Sequence, residues 1–162
     1  MSRSLPLGLL LWLLVLCPAC TILPKILILD DPLSQEEHLT LAMIYENEGK
    51  LDLAIREYEL APSIPFAAYA LGNVYFLQGD YKKAETQYRR AIRMDGLPEA
   101  YSNLSFLLVT QGKDLEDAYE YALKAVEEAI KRDLDDNLIR NFKANLNLAE
   151  TALIYRNKGY EH

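Results

Sequence analysis

The chain has 162 residues and a formal net charge of −7, and this acidic balance argues against nucleic acid as a partner and against electrostatic binding to membranes. Its only histidines are His38 and His162, which form neither a metal cluster nor a pair of base and nucleophile. The carboxylates follow the spacing of a helix surface. We therefore expect no enzyme, no cofactor and no metal site.

Residues 1–19 are predicted to be an export signal. Arg3 precedes an apolar run from Leu5 to Leu16, and the segment ends in small residues at Ala19. The run is too short to span a bilayer unless it continues to Leu29, and that extension would include two prolines and Lys25.

The pair Ala19-Cys20 resembles the lipobox of bacterial lipoproteins, in which the cysteine becomes the lipid-bearing first residue. The resemblance implies that Cys20 is acylated and that this lipid attaches the chain to the membrane. Acylation would also explain the single thiol left after cleavage. Thr21 stands where some lipoproteins carry the Asp that retains them at the inner membrane, so the resemblance implies the periplasmic face of the outer membrane. Two alternatives stay open: ordinary cleavage that leaves Cys20 free, or an uncleaved helix that spans the inner membrane once.

Residues 20–33 are predicted to be an extended apolar tether. The run of Ile and Leu, Pro24, and the sequence Asp30-Asp31-Pro32 all favour extended chain over helix. The tether would either pack on the surface of the domain or be captured by a partner through strand addition. The first helix then opens at Ser34, where Glu37 completes a predicted capping box.

From residue 34 the chain repeats one helical pattern three times. Each copy has an apolar helix, a glycine (Gly49, Gly79 or Gly112) and a second helix with regularly spaced alanines. One such unit cannot cover its own apolar face, so stacking must supply the core. The residues predicted to pack the repeats are Leu41, Tyr45, Ala54, Leu71, Gly72, Tyr75, Ala84, Tyr88, Ala91, Leu104 and Ala118.

This pattern resembles the tetratricopeptide repeat, in which Leu-Gly-x-x-Tyr lies on helix A and Ala-x-x-x-Tyr-x-x-Ala on helix B. The second repeat, about 65–97, matches it best. The resemblance implies an all-α fold, a right-handed α-solenoid of about three helix pairs in a domain of residues 34–162. The repeats would cover about 35–64, 65–97 and 98–132, and a capping helix would cover about 137–158.

The resemblance also implies that defined positions of helix A line a concave groove that binds a protein or peptide. Seven candidates for partner binding are Leu39, Met43, Phe66, Tyr69, Asn73, Phe76 and Phe106. The same mapping adds Glu36, Glu46, Asn47, Leu77, Glu99, Ser102, Val109 and Thr110 to this wall. The occupant would be an apolar segment of a partner or the chain's own residues 22–29. Alternatively, the terminal helix fills a groove that three repeats leave shallow.

Asn73 and Asn103 are similar to the asparagines with which one subclass of the family grips a carboxylate tail. That subclass also needs Lys and Arg, where this chain has Leu39, Tyr69 and Leu146 or Glu150, so a carboxylate clamp is not expected. Two functions are therefore predicted. The first is an envelope-anchored lipoprotein that acts as an adaptor or assembly scaffold. The second is a membrane-tethered subunit with an uncleaved N-terminal helix that serves a structural or signalling complex.

Overall fold

The computed structural model describes residues 31–159, which form seven helices and no strand. The predicted export signal, Cys20 and nearly all of the tether lie outside the described residues. The helices are α1 (Gln35–Asn47), α2 (Leu51–Glu59), α3 (Pro65–Leu77), α4 (Tyr81–Asp95), α5 (Pro98–Gln111), α6 (Leu115–Lys131) and α7 (Asp136–Asn157). The prediction of an all-α solenoid of stacked helix pairs is confirmed.

Local signals in the sequence explain where the helices begin and end. The capping box at α1 is formed, because Ser34 Oγ accepts from the Glu37 amide and Glu37 Oε2 accepts from the Ser34 amide. Proline occupies the first turn of α3 and of α5, where its missing N–H costs no helical hydrogen bond. Gly79 follows α3 with φ +77°, a left-handed conformation that glycine adopts without a steric penalty.

Consecutive helices pack against each other along the chain, as α1 with α2, α3 with α4, and α5 with α6. Helix α2 has only 9 residues against 15 in α4 and 17 in α6, and it ends before Pro62. One apolar cluster runs through the first five helices into α6. Of the predicted packing residues, Leu41 and Tyr45 are half-buried and the others are buried.

Helices α3 and α4 approach each other closely at Gly72 of α3. A Cβ atom placed there would lie 2.6 Å from both Cδ1 and Cε1 of Tyr88 in α4. Tyr88 is only 1% exposed, and its ring lies over the backbone of α3 at this glycine. The glycine is therefore needed for close approach, since a side chain would collide with the ring.

Helix α7 ends the stack and packs on both α5 and α6. A second, smaller apolar cluster joins α6 to α7 through Ala125, Val126, Ala129 and Phe142. Although α7 has 22 residues, no helix between residues 31 and 159 combines the length and the apolar character that a bilayer crossing requires.

Candidate functional site

Helices α1, α3 and α5 together present two adjacent hollows, each of about 270 Å³. The first hollow is lined by Met43, Glu46, Asn47, Tyr58, Phe66, Tyr69, Ala70 and Asn73. The second hollow is lined by Asn73, Phe76, Leu77, Tyr88, Asn103 and Phe106. Because Asn73 borders both, we call the two hollows together the groove.

The structure brings six of the seven candidate partner-binding residues into the groove, namely Met43, Phe66, Tyr69, Asn73, Phe76 and Phe106. Leu39 lines neither hollow and packs, half-buried, against the main apolar cluster. Ser102, which was also mapped to this wall, is 1% exposed and accepts a hydrogen bond of 2.7 Å from Asn145 of α7. The terminal helix therefore covers the position of Ser102 and leaves the two hollows open.

A small polar network crosses the boundary between α3 and α5. Asn73 Oδ1 accepts from the Tyr88 hydroxyl at 2.9 Å and from Asn103 Nδ2 at 2.8 Å. Burial raises the pKa of Tyr88, so this phenol stays a neutral donor. Asn73 Nδ2 and Asn103 Oδ1 make no hydrogen bond to residues 31–159. They therefore offer the second hollow one donor and one acceptor, the pair that matches a peptide group.

The polar group of the first hollow is the Glu46 carboxylate. The Tyr58 hydroxyl donates to Glu46 Oε2 at 2.5 Å, and burial, followed by this bond, raises the pKa of Tyr58. The bond fixes one carboxylate oxygen. The other, Oε1, has no hydrogen-bond partner within the described part of the chain.

Aromatic rings line both hollows of the groove. The ring centroids of Phe66 and Tyr69 are 5.5 Å apart, and those of Phe76 and Phe106 are 5.9 Å apart, both pairs with tilted planes. Phe66 is 41% exposed, Phe106 38% and Leu77 70%. Apolar side chains this exposed on one face are typical of an interaction surface.

The groove is suited to binding, as it combines apolar rings with a few fixed hydrogen-bonding groups. Among residues 31–159, no group of three or more His, Cys, Asp or Glu side chains is placed to hold a metal ion. The described histidine, His38, pairs its Nδ1 with Glu57 Oε2 at 2.7 Å between α1 and α2. Neither of these two residues lines a hollow.

Sequence reasoning assigned no groove role to the tyrosines of the B helices. Tyr88 was predicted only as a packing position, and Tyr58 was not among the predicted site residues. The hydroxyls of both tyrosines nevertheless reach the groove, where they donate to Glu46 and Asn73. The signal that could have found them is their shared place in the repeated pattern, since a tyrosine hydroxyl that is buried needs a polar partner.

Sequence profiles of the tetratricopeptide repeat match residues 38–64 and 65–96. The first two helix pairs are therefore similar to the tetratricopeptide repeat, as the sequence resemblance predicted. None of the curated protein sequences matches the chain significantly.

Several solved structures share the fold. The tetratricopeptide repeat domain of Sgt2 from Aspergillus fumigatus aligns with a TM-score of 0.65 at 20% identity, over 79% of this chain and 84% of that one. The first such domain of Spaghetti (RPAP3), solved bound to the HSP90 peptide SRMEEVD, gives 0.64 at 20% identity, over 78% and 98%. MamA gives 0.55 at 22% identity, over 77% and 84%.

Proposed function

We propose that this chain is a protein-interaction adaptor or assembly scaffold whose groove binds a segment of a partner protein. The observation that carries this proposal is the pair of adjoining hollows, where exposed aromatic rings surround free hydrogen-bonding groups of Asn73 and Asn103. Apolar side chains of a bound segment would fill the hollows, and its backbone would pair with the two amides.

The related fold of Spaghetti (RPAP3) supports this proposal, because that domain was solved with a peptide bound. The chemistry of the groove also favours binding over reaction. Its rings supply apolar area, while the amides offer one donor and one acceptor in fixed positions. A repeat framework is shared by many such domains, so the partner is selected by the side chains of the groove.

Site-specific photocrosslinking in cells tests the site. A photoreactive residue at Tyr69 or Phe106 is expected to capture one partner, which mass spectrometry then identifies. The same residue at Leu123 of α6, which is as exposed as Phe106, is the matched control. Capture of the same partner at similar yield from Leu123 would show that the groove is not the site.

A double variant then tests the energetics. Tyr69→Glu with Phe106→Glu is expected to abolish capture of the identified partner, because each carboxylate would be desolvated against an apolar surface. Helicity by circular dichroism should stay unchanged, since both side chains are partly exposed. Retained capture with intact helicity would contradict the proposal.

We propose further that the adaptor is anchored to the cell envelope by a lipid on Cys20, at the periplasmic face of the outer membrane. The support is the sequence of residues 1–20, with Arg3, the apolar run and the Ala19-Cys20 pair. Palmitate labelling of the parent and of Cys20→Ala tests the anchor. Loss of label together with release from membranes is the expected result. Unchanged membrane retention would favour the alternative subunit with an uncleaved N-terminal helix.

A further inference from the structure

The distribution of charge along the chain singles out the groove. Among the residues that line the two hollows, Glu46 is the one charged side chain, and none is Lys or Arg. Basic residues do occur in α2, α4, α6 and α7. The charge of the groove is therefore negative, and no basic side chain lines it that could pair with an acidic ligand.

The first hollow has the components of a cation site. Glu46 presents its free Oε1, while Tyr58 holds the other oxygen at 2.5 Å and so fixes the carboxylate. The rings of Phe66 and Tyr69 stand beside it with centroids 5.5 Å apart. A Lys or Arg head group is attracted both by a carboxylate and by the faces of aromatic rings.

The second hollow has a different character. Phe76, Leu77 and Phe106 supply an apolar lining, and its polar groups are neutral amides together with the Tyr88 phenol. An aliphatic or aromatic side chain fits this lining, whereas a charged one would lose its hydration without gaining a counter-charge.

We propose that the groove selects a partner segment with a Lys or Arg side chain in the first hollow and an apolar side chain in the second. This inference rests on the proposed function and names the ligand chemistry of the same site. Neighbouring packed helices lie about 8–10 Å apart, and alternate residues of an extended chain lie about 7 Å apart. The two anchors are therefore separated by roughly two to three residues.

Synthetic fluorescent octapeptides provide the test, with fluorescence anisotropy on the full chain as the measurement. Four sets are compared, each with the spacing above: Lys with Leu, norleucine with Leu, Glu with Leu, and Lys with Ser. The Lys–Leu set is expected to bind about tenfold more tightly than the norleucine–Leu set. The Glu–Leu set should bind most weakly, and added salt should reduce the advantage of Lys.

Two variants locate the effect. Glu46→Gln, which keeps an acceptor for Tyr58, is expected to remove the tenfold advantage of Lys over norleucine. Glu127→Gln on α6 makes the same charge change on an exposed residue outside the groove and should change neither affinity. An advantage of Lys that survives Glu46→Gln would overturn the inference.

The outcomes separate the inference from the function beneath it. Tight binding of Leu peptides with no preference for Lys would overturn the basic anchor but leave a peptide-binding groove. If none of the four peptide sets binds, both the basic anchor and the peptide-binding function of the groove would be overturned. If the Lys25→Gln variant binds the peptides more tightly than the parent chain, the groove would be assigned to the chain's own residues 22–29. If the parent chain self-associates and Glu46→Gln abolishes this, the groove would be assigned to a second copy of the chain. Either result would overturn assignment to a partner.

Discussion

Replacing Gly72 by alanine tests the packing on which the fold depends. In a helix, Ala is favoured over Gly by about 1 kcal/mol. Here the new Cβ would lie 2.6 Å from two ring carbons of Tyr88, about 1 Å inside the ordinary separation of carbon atoms. Tyr88 cannot withdraw easily, because it is 1% exposed and its hydroxyl is bonded to Asn73. Overpacking of this kind costs about 3 kcal/mol at the upper end of its usual range.

The expected net effect of Gly72→Ala is therefore a loss of about 2 kcal/mol in the free energy of unfolding. Chemical denaturation followed by far-UV circular dichroism measures it. The matched background is Tyr88→Leu, which removes the ring carbons. In that background Gly72→Ala is expected to stabilise the protein by about 0.5–1 kcal/mol. Stabilisation in the parent chain, or the same effect in both backgrounds, would refute the reasoning.

Three further predictions concern stability. Ser105→Ala is expected to raise the unfolding free energy by about 1 kcal/mol, because Ser105 Oγ is buried without a partner in the described residues; a loss in denaturation experiments would argue for an unseen partner. Ser34→Ala is expected to lower the free energy of unfolding by about 1 kcal/mol, because it removes the N-cap of α1. An unchanged denaturation midpoint would contradict this prediction. Burial raises the pKa values of Tyr58 and Tyr88 in the folded state. The stabilisation that comes from burying these neutral phenols is therefore fully present below pH about 10 and is lost as the pH rises above that value. The free energy of unfolding is expected to fall as the pH rises above about 10, and the fall should be smaller in the Tyr58→Phe variant. A free energy of unfolding that does not change with pH above about 10 would contradict the burial of these phenols.

The repeated elements of this fold could be predicted from sequence because their causes are local or periodic. The glycines that end α1 and α3, the capping box at Ser34 and the spacing of alanines each act over a few residues. The recurrence of the pattern then implied stacking, since one helix pair cannot bury its own apolar face. Family position alone predicted that Phe66, Tyr69 and Phe106 lie on one wall.

The polar chemistry of the groove could not be predicted in the same way. The bond between Asn103 and Asn73 joins residues 30 positions apart, and it depends on how far one helix slides past the next. The choice of Glu46 as partner of Tyr58 depends on rotamers set by packing. Leu39 shows the same limit, because mapping by family position does not reveal that it turns toward the apolar cluster.

The apolar interior is divided into separate clusters, and this division determines which helices a core substitution destabilises. Phe142 belongs to the small cluster between α6 and α7, whereas Tyr58 and Tyr88 belong to the large one. Truncating Phe142 is therefore expected to let the last helix fray while the ligand-facing hollows keep their form. Evolution can consequently alter the tail end of such a stack, or add a further unit to it, without redesigning what the molecule recognises.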